Sequence, residues 1–167
     1  MTELRRFDPA RGAYGIRLAT AEEAPVLARH RASMFRDMKE VDDQGASVIE
    51  NASIDHLAAL IEAREYFAFL AEDEGQVIGG GGLWLRPLLP RPGTLRGAME
   101  AYVLNVYTEP DHRRRGVARA IMQAIIGWSR DRGVARVTLH ASIEGRSLYE
   151  DLGFESTNEM RIDFDRS

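Results

Sequence analysis

An apolar strand, an arginine-rich turn, a helix and a second strand follow one another in the C-terminal half of the sequence. Residues 98–108 are nearly all apolar, the turn carries Arg113–Gly116, and residues 116–132 repeat apolar side chains at helical spacing. Residues 134–141 have the composition of another strand. Two strands joined by a helix are usually parallel neighbours with a right-handed crossover. The pattern therefore predicts a parallel βαβ unit at the centre of the fold.

The turn of this unit has the composition of an anion site. Backbone N–H groups at the start of a helix lack partners within the helix, and the helix dipole adds partial positive charge there. Gly116 and Ala118 allow a ligand to approach the backbone closely, and the three preceding arginines add full charges. The expected ligand is a polyphosphate.

The remaining pattern predicts a mixed α/β fold whose N-terminal half is antiparallel. Tyr66–Ala71 and Gln76–Leu85 read as a hairpin around Asp73-Glu74-Gly75. The Gly79–Gly82 run lacks the spacing of a dinucleotide-binding loop and does not open a helix, so a bulge or close backbone approach explains it better. The other expected elements are a strand at 16–18, a helix at 21–38 with a capping box at Thr20 and Glu23, a loop at 39–50, a helix from Ser53, a short helix at 145–152, and strands at 154–156 and 160–164.

Composition restricts the classes of function. The chain has 167 residues, which is most simply one domain over residues 1–167, and a net charge of -4, which disfavours nucleic acid as a partner. The absence of cysteine is compatible with a reducing cytoplasm, where we expect the protein. Apolar runs are too short to suggest a membrane span, and no histidine and carboxylate pattern has metal-ligand spacing, so we expect neither a membrane nor a metal.

Two motifs now carry a resemblance. Arg113-Arg114-Arg115-Gly116-Val117-Ala118 is similar to the Arg/Gln-x-x-Gly-x-Gly/Ala signature of the GCN5-related N-acetyltransferase (GNAT) superfamily. The segment from Leu148 to Phe154 resembles the second hallmark of that superfamily, Leu-Tyr-Glu-x-x-Gly-Phe. The order of the expected strands and helices agrees from Ile16 to Phe164. The resemblance implies the GNAT fold, a central mixed sheet with flanking helices.

The resemblance also implies a co-substrate, acetyl-CoA, in a V-shaped gap between the two parallel strands. Its pyrophosphate would lie on the turn, and its pantetheine arm would hydrogen-bond the end of the preceding strand like an added strand. Ser142 stands where many relatives carry an asparagine that contacts pantetheine. The residues expected to bind the co-substrate are Val106, Tyr107, Thr108, Arg113, Arg114, Arg115, Gly116, Val117, Ala118, Arg119, Ser142 and Tyr149.

The implied reaction is direct transfer of an acetyl group to a primary amine of a small molecule or peptide. Tyr149 matches the tyrosine that points at the CoA sulfur in relatives, and we expect it to protonate the leaving thiolate, although it could simply pack under the cofactor. Strand alternation puts Glu100, Tyr102, Leu104 and Val106 on one face, so Glu100 could be the base, or it could lie in solvent at the start of the strand. His140 or a water chain remains an alternative. Asn105 would be a buried polar group on the opposite face.

Two other classes of function remain open. One is a non-catalytic acyl-CoA sensor or scaffold, which would keep the arginine turn but would not need Tyr149. The other is a binder of RNA or phosphoprotein, which the net charge and the lack of aromatic residues among the arginines disfavour. The sequence does not choose the acceptor amine or the preferred acyl chain, and a homodimer is expected only because many members of the superfamily are dimers.

Overall fold

The computed structural model describes residues 14–93, 95 and 98–165, and its five strands form one sheet in chain order. Adjacent strands are antiparallel except the last two, β4 and β5, which are parallel and joined through helix α3. The predicted mixed α/β fold with one βαβ unit is confirmed. The strands are β1 Gly15–Leu18, β2 Tyr66–Asp73, β3 Gln76–Leu88, β4 Ala98–Thr108 and β5 Arg136–Leu139.

Helices cover the two faces of the sheet around separate apolar clusters. One face packs against α1 and α2 through residues such as Leu27, Leu57 and Leu70. The other face packs against α3 and α4, where Ile121 and Ile125 are fully buried. The helices are α1 Ala24–Asp37, α2 Asp43–Glu62, α3 Val117–Asp131 and α4 Arg146–Asp151. No helix in the described part of the chain is long and apolar enough to cross a membrane.

The start of α1 agrees with the sequence, whereas the start of α2 does not. A 3₁₀ turn at Ala21–Glu23 leads into α1, and the Thr20 N–H donates to Glu23 Oε2 over 2.9 Å, as the capping box requires. The predicted loop over 39–50 is wrong because α2 already begins at Asp43. The Asp42 carboxylate accepts a 2.8 Å hydrogen bond from the Gly45 N–H and caps the helix eleven residues before Ser53.

The Gly79–Gly82 run brings β3 into close contact with the elements on both faces. A Cβ atom at Gly82 would lie 2.1 Å from the Tyr66 hydroxyl oxygen, and one at Gly80 would lie 3.2 Å from His30 Nδ1. On the opposite face, Cβ atoms at Gly79 and Gly81 would lie close to side chains of α3. His30 is buried, and burial together with the Arg29 charge lowers its pKa to about 4. The imidazole is therefore a neutral packing group at neutral pH.

The predicted strands at 154–156 and 160–164 are also wrong. Residues 154–165 form no strand within the described part of the chain, and nearly all of them are exposed. A strand needs a neighbour that accepts and donates its backbone hydrogen bonds. The alternating pattern of 160–164 is present in the sequence, but none of the five described strands pairs with it.

Candidate active site

The parallel strands β4 and β5 separate halfway along β4. They pair only from Glu100 with Arg136 to Val103 with Leu139, although β4 continues to Thr108. On its other side β4 remains paired with β3 as far as Thr108. The last residues of β4 therefore present an edge to a gap, which opens toward the turn before α3.

A β-bulge at Asn105 coincides with this separation. Asn105 has a φ of 61°, and the register between β3 and β4 shifts at the same place. The bulge also changes which side chains share a face. Leu104 packs with the α1 and α2 cluster, whereas Val106 packs with the α3 cluster. The prediction that Glu100, Tyr102, Leu104 and Val106 share one face is therefore wrong at Val106.

Side chains on the α1 side hold the bulge. Asn105 Oδ1 accepts a 2.6 Å hydrogen bond from Arg31, and Asn105 Nδ2 donates to the Tyr66 hydroxyl over 2.9 Å. Asn105 thus lies on the same face of the sheet as Tyr66 and Leu104. Strand alternation instead predicts that Asn105 lies on the face opposite to Leu104. Burial raises the pKa of Tyr66 to about 12, against the opposing effects of Asn105 and Arg31, so the phenol stays neutral. Asn105 is a satisfied core amide that fixes the bulged backbone.

The turn after β4 has the geometry of an anion site. Arg114 and Gly116 have φ values of 59° and 82°, and no side chain caps the first turn of α3. Backbone N–H groups in such a turn and at a helix start converge on an anion. Within the described ranges, no carboxylate lies within 4 Å of Arg114 or Arg115, while Tyr14 Oη donates to the Arg115 carbonyl oxygen over 3.0 Å. Both guanidinium groups are exposed at the mouth of the gap.

The other two arginines of the predicted set have protein partners. Arg113 forms a 2.5 Å ion pair with Asp37 at the end of α1, and its Nε donates to the Thr108 carbonyl oxygen over 2.9 Å. Arg119 pairs with Asp151 of α4 over 3.0 Å. These contacts connect the turn to α1 and to α4. Arg113 and Arg119 are therefore paired with carboxylates of the protein, unlike Arg114 and Arg115.

Glu100 is buried at the beginning of β4, with 6% of its surface exposed. One carboxylate oxygen accepts from Arg86 over 2.8 Å, and the other accepts from Arg136 over 2.8 Å and from Thr138 over 3.1 Å. Burial alone would raise the pKa, but these hydrogen bonds and the two positive charges outweigh it and lower the pKa of Glu100. The carboxylate is therefore an ionised anchor between β3, β4 and β5.

Tyr102 and His140 form a polar pair where β5 ends. The Tyr102 hydroxyl and His140 Nδ1 are 2.5 Å apart, and the Arg86 guanidinium lies over the Tyr102 ring with 4.4 Å to the centroid. His140 is exposed, so its second ring nitrogen can reach a ligand. The sequence placed His140 near the gap but did not reveal the contact with Tyr102.

Tyr149 approaches the gap from the α3 side. It lies on α4, is half-buried, and packs its ring at 70° to Phe154 with 5.9 Å between centroids. Burial raises its pKa. Nearby, Ser142 Oγ accepts a 3.1 Å hydrogen bond from the Gly145 N–H, which leaves the hydroxyl hydrogen free to donate elsewhere.

An open cleft of about 1040 Å³ lies along the outer edge of β5. Glu100, His140 and Tyr149 line the cleft. In the described part of the chain, no group of three or more acidic or histidine side chains could hold a metal ion. The arrangement combines a turn with exposed arginines, the unpaired end of β4, the Tyr102–His140 pair and the Tyr149 phenol.

Comparison with known proteins identifies the class. The model of the acetyltransferase (GNAT) family matches residues 31–154, and the chain belongs to that family. Among solved structures, a GCN5-related N-acetyltransferase from Ralstonia eutropha JMP134 is 28% identical, with a TM-score of 0.80 over 90% of this chain and 98% of its own. A predicted acetyltransferase with acetyl-CoA from Clostridium acetobutylicum, 21% identical, has a TM-score of 0.77 over 90% of this chain and 96% of its own, and so shares the fold.

Curated relatives have similar levels of identity. An uncharacterized N-acetyltransferase of Escherichia coli K12, YjgM, is 27% identical over 84% of this chain and 81% of its own length. Glucosamine 6-phosphate N-acetyltransferase of Trypanosoma brucei brucei is 29% identical over 57% of this chain. This match spans only 63% of the trypanosome protein. Human N-acetyltransferase 8 is 26% identical over 54% of this chain, and that match spans 39% of the human protein.

Replacing Glu100 with Gln tests the ion-paired anchor. At neutral pH we expect E100Q to lower the free energy of unfolding by about 1.5–3 kcal/mol, the range for hydrogen bonds to charged groups. The folded-state pKa of Glu100 is below its unfolded-state value, so this stabilisation is present above the unfolded-state pKa and is lost as the pH falls through the folded-state pKa. The free energy of unfolding, measured with urea, should therefore differ less between wild type and E100Q in acid than at neutral pH.

The matched control is Glu62→Gln, at the exposed end of α2, which should change the free energy of unfolding by less than about 0.5 kcal/mol. A difference between wild type and E100Q that stays constant as the pH falls would contradict the ion-paired state of Glu100.

Proposed function

We propose that this chain is an N-acetyltransferase that transfers an acetyl group from acetyl-CoA directly to a primary amine of a small molecule or peptide. The observation that carries the proposal is the separation of β4 and β5 next to the turn at Arg113–Ala118. A free strand edge beside an anion-binding turn suits an extended ligand that ends in phosphates. Acetyl-CoA, when bound, supplies the thioester that is attacked.

The turn would bind the pyrophosphate. Backbone N–H groups of Arg114–Ala118 would donate to phosphate oxygens, and the free guanidinium groups of Arg114 and Arg115 would add charge-assisted hydrogen bonds. Arg113 and Arg119 would contribute less directly, because Asp37 and Asp151 already occupy their side chains. Their pairs hold the turn in place against α1 and α4.

The end of β4 would bind the pantetheine arm. Val106, Tyr107 and Thr108 lie beyond the last residue that pairs with β5, so their gap-facing backbone groups can hydrogen-bond an extended ligand as an added strand would. The Ser142 hydroxyl could donate one further hydrogen bond, since its oxygen already accepts from Gly145. The bulge at Asn105 keeps this part of β4 away from β5.

Tyr149 would be the acid that protonates the departing thiolate. It reaches the gap from the α3 side, and burial raises its pKa, so the phenol carries its proton throughout the neutral range. Packing against Phe154 fixes the direction of the ring.

The proton acceptor for the amine would be His140, paired with Tyr102, rather than Glu100. Three donors already hold the Glu100 carboxylate, and taking up a proton would break its bonds to Arg86 or Arg136. His140 is exposed in the cleft and has one ring nitrogen available. The acid and the base would then stand on opposite faces of the sheet at the gap.

Substituting Tyr149 with Phe tests the reaction. Loss of the acid should lower kcat by about 10²–10⁴-fold, the usual contribution of a general acid, while the Kd for CoA changes little because the ring remains. Free CoA release with a panel of amines and peptides, together with CoA titration calorimetry, measures both quantities. Thioester turnover with any amine excludes the alternative of a non-catalytic acyl-CoA sensor, and undiminished turnover in Y149F would contradict the acid role.

The base is tested by comparing His140→Gln with Glu100→Gln at neutral pH. We expect H140Q to lower kcat/KM by at least about 10²-fold, as loss of a general base does. For E100Q, we expect kcat/KM, corrected for the folded fraction, to stay within about tenfold of wild type. A tenfold change corresponds to about 1.4 kcal/mol in the free energy of the transition state. His56→Gln on the exposed side of α2 is the control for H140Q. The reverse order of effects would assign the base to Glu100.

A further inference from the structure

Arg31 on α1 is half-buried, and its described hydrogen bond goes to a neutral group. Its Nη1 donates to Asn105 Oδ1 over 2.6 Å, and its guanidinium carbon lies 4.8 Å from the centroid of the Phe35 ring. In the described part of the chain no carboxylate oxygen lies within 4 Å of this guanidinium, whereas the exposed Arg36 on the same helix pairs with Asp43 over 3.6 Å. A cation that is partly removed from water normally has an anionic partner. The contacts of Arg31 are therefore incomplete.

The Arg31 guanidinium keeps most of its capacity to donate hydrogen bonds. Arginine carries five N–H donors in a planar fork, and the bond to Asn105 uses one of them. The Phe35 ring covers one face of the guanidinium, but the N–H groups point outward in the plane and stay free to donate. A fork of this kind matches the paired oxygens of a carboxylate or a phosphate.

Arg31 lies where an acceptor would approach the gap. Its partner Asn105 is the bulged residue at which β4 and β5 separate, beside the place of the thioester under the proposed function. Tyr102 and Leu104 precede the bulge and share a face, and Leu104 packs with the α1 and α2 cluster. His140 contacts Tyr102, so the proposed base is on the same side of the sheet as Arg31. Three residues of strand separate Tyr102 from Asn105, which is about 10 Å.

The same face of the sheet carries more positive than negative charge at the start of β4. Arg86 and Arg136 both pair with Glu100 over 2.8 Å, so two guanidinium groups share one carboxylate. The Glu100 side chain is 7% exposed, whereas the two arginine side chains are 46% and 43% exposed. The excess positive charge therefore faces solvent. It attracts a ligand that carries a negative group and repels a polycation.

We propose that the acceptor is a primary amine with an anionic group of its own, a carboxylate or a phosphate, and that Arg31 binds this group. The anion would complete the contacts of Arg31 and hold the amine beside His140. Arg31 would be a specificity-determining residue, which selects the amine and moves no proton. This inference rests on the proposed acetyltransferase function, and it narrows the acceptor from primary amines in general to anionic ones.

Matched acceptor pairs test the substrate class in wild type and in Arg31→Gln, which removes the charge but keeps an N–H donor. L-phenylalanine and L-phenylalaninamide compare a carboxylate with a neutral amide, and O-phosphoethanolamine and ethanolamine compare a phosphate with a hydroxyl. In R31Q, kcat/KM for the anionic member relative to its neutral partner should fall about 10–150-fold, the range for hydrogen bonds to charged groups. The pair that shows the fall identifies the anion. The basicity of each amine cancels, because both proteins receive the same pair.

Two further variants control for charge and for structure. Arg36→Gln removes an exposed charge from the same helix and should leave the ratio unchanged. Arg31→Lys keeps the charge without the fork and should restore part of the loss. A fall in R31Q that is equal for both members of each pair would place Arg31 in the reaction or in the bulge, and it would overturn the proposal. A wild-type preference for putrescine or for a basic peptide would overturn it as well.

Binding measured without turnover separates this inference from the proposed function. Titration calorimetry of the four amines into the CoA-saturated protein gives their Kd values. The anionic member of at least one pair should bind about tenfold or more tightly than its neutral partner, and R31Q should abolish the difference. That result without turnover of any amine would contradict the acetyltransferase and support the anion site. Turnover of amines with no such difference in binding would support the enzyme and overturn the inference.

Discussion

The bulge at Asn105 is the constraint on which the site depends. Parallel strands normally stay paired along their length, and closing β5 against β4 beyond Val103 would remove the gap. The bulged backbone is held from the α1 side, where Arg31 and Tyr66 satisfy both ends of the Asn105 amide. An unsatisfied amide at this buried position would cost about 1–3 kcal/mol. Helix α1 thus holds the bulge at the place where β4 and β5 separate.

The four arginines at the turn before α3 differ in their partners. Arg113 and Arg119 have carboxylate partners on α1 and α4, and these pairs fix the turn relative to both faces of the sheet. Arg114 and Arg115 extend into solvent beside backbone N–H groups that no side chain caps. A preorganised site of this kind loses little conformational entropy when an anion binds. Glu100 plays a similar part at the other end of β4, where it neutralises Arg86 and Arg136 and fixes the position of β5.

The sequence predicted the parallel unit and the arginine turn before α3 because their signals are local. Apolar periodicity sets the strand and the helix, and Gly116 with neighbouring arginines marks the turn. The bulge was missed, although asparagine tolerates positive φ and is uncommon inside strands, so Asn105 was a signal for it. The ion pairs of Glu100 join three strands and depend on register, which periodicity does not reveal. The missed start of α2 did have a signal, the cap at Asp42. The strands expected at 154–156 and 160–164 are absent, because an alternating pattern does not by itself supply the neighbour that a strand needs.

The central claim is that acetyl-CoA lies in the gap between β4 and β5 with its pyrophosphate on the turn before α3. Amide hydrogen exchange with and without saturating acetyl-CoA tests it directly. The account predicts slower exchange at Val106–Thr108 and at Arg114–Ala118, with little change at the exposed end of α2. Binding that leaves these two segments unprotected, or that protects a different part of the chain, would contradict the account.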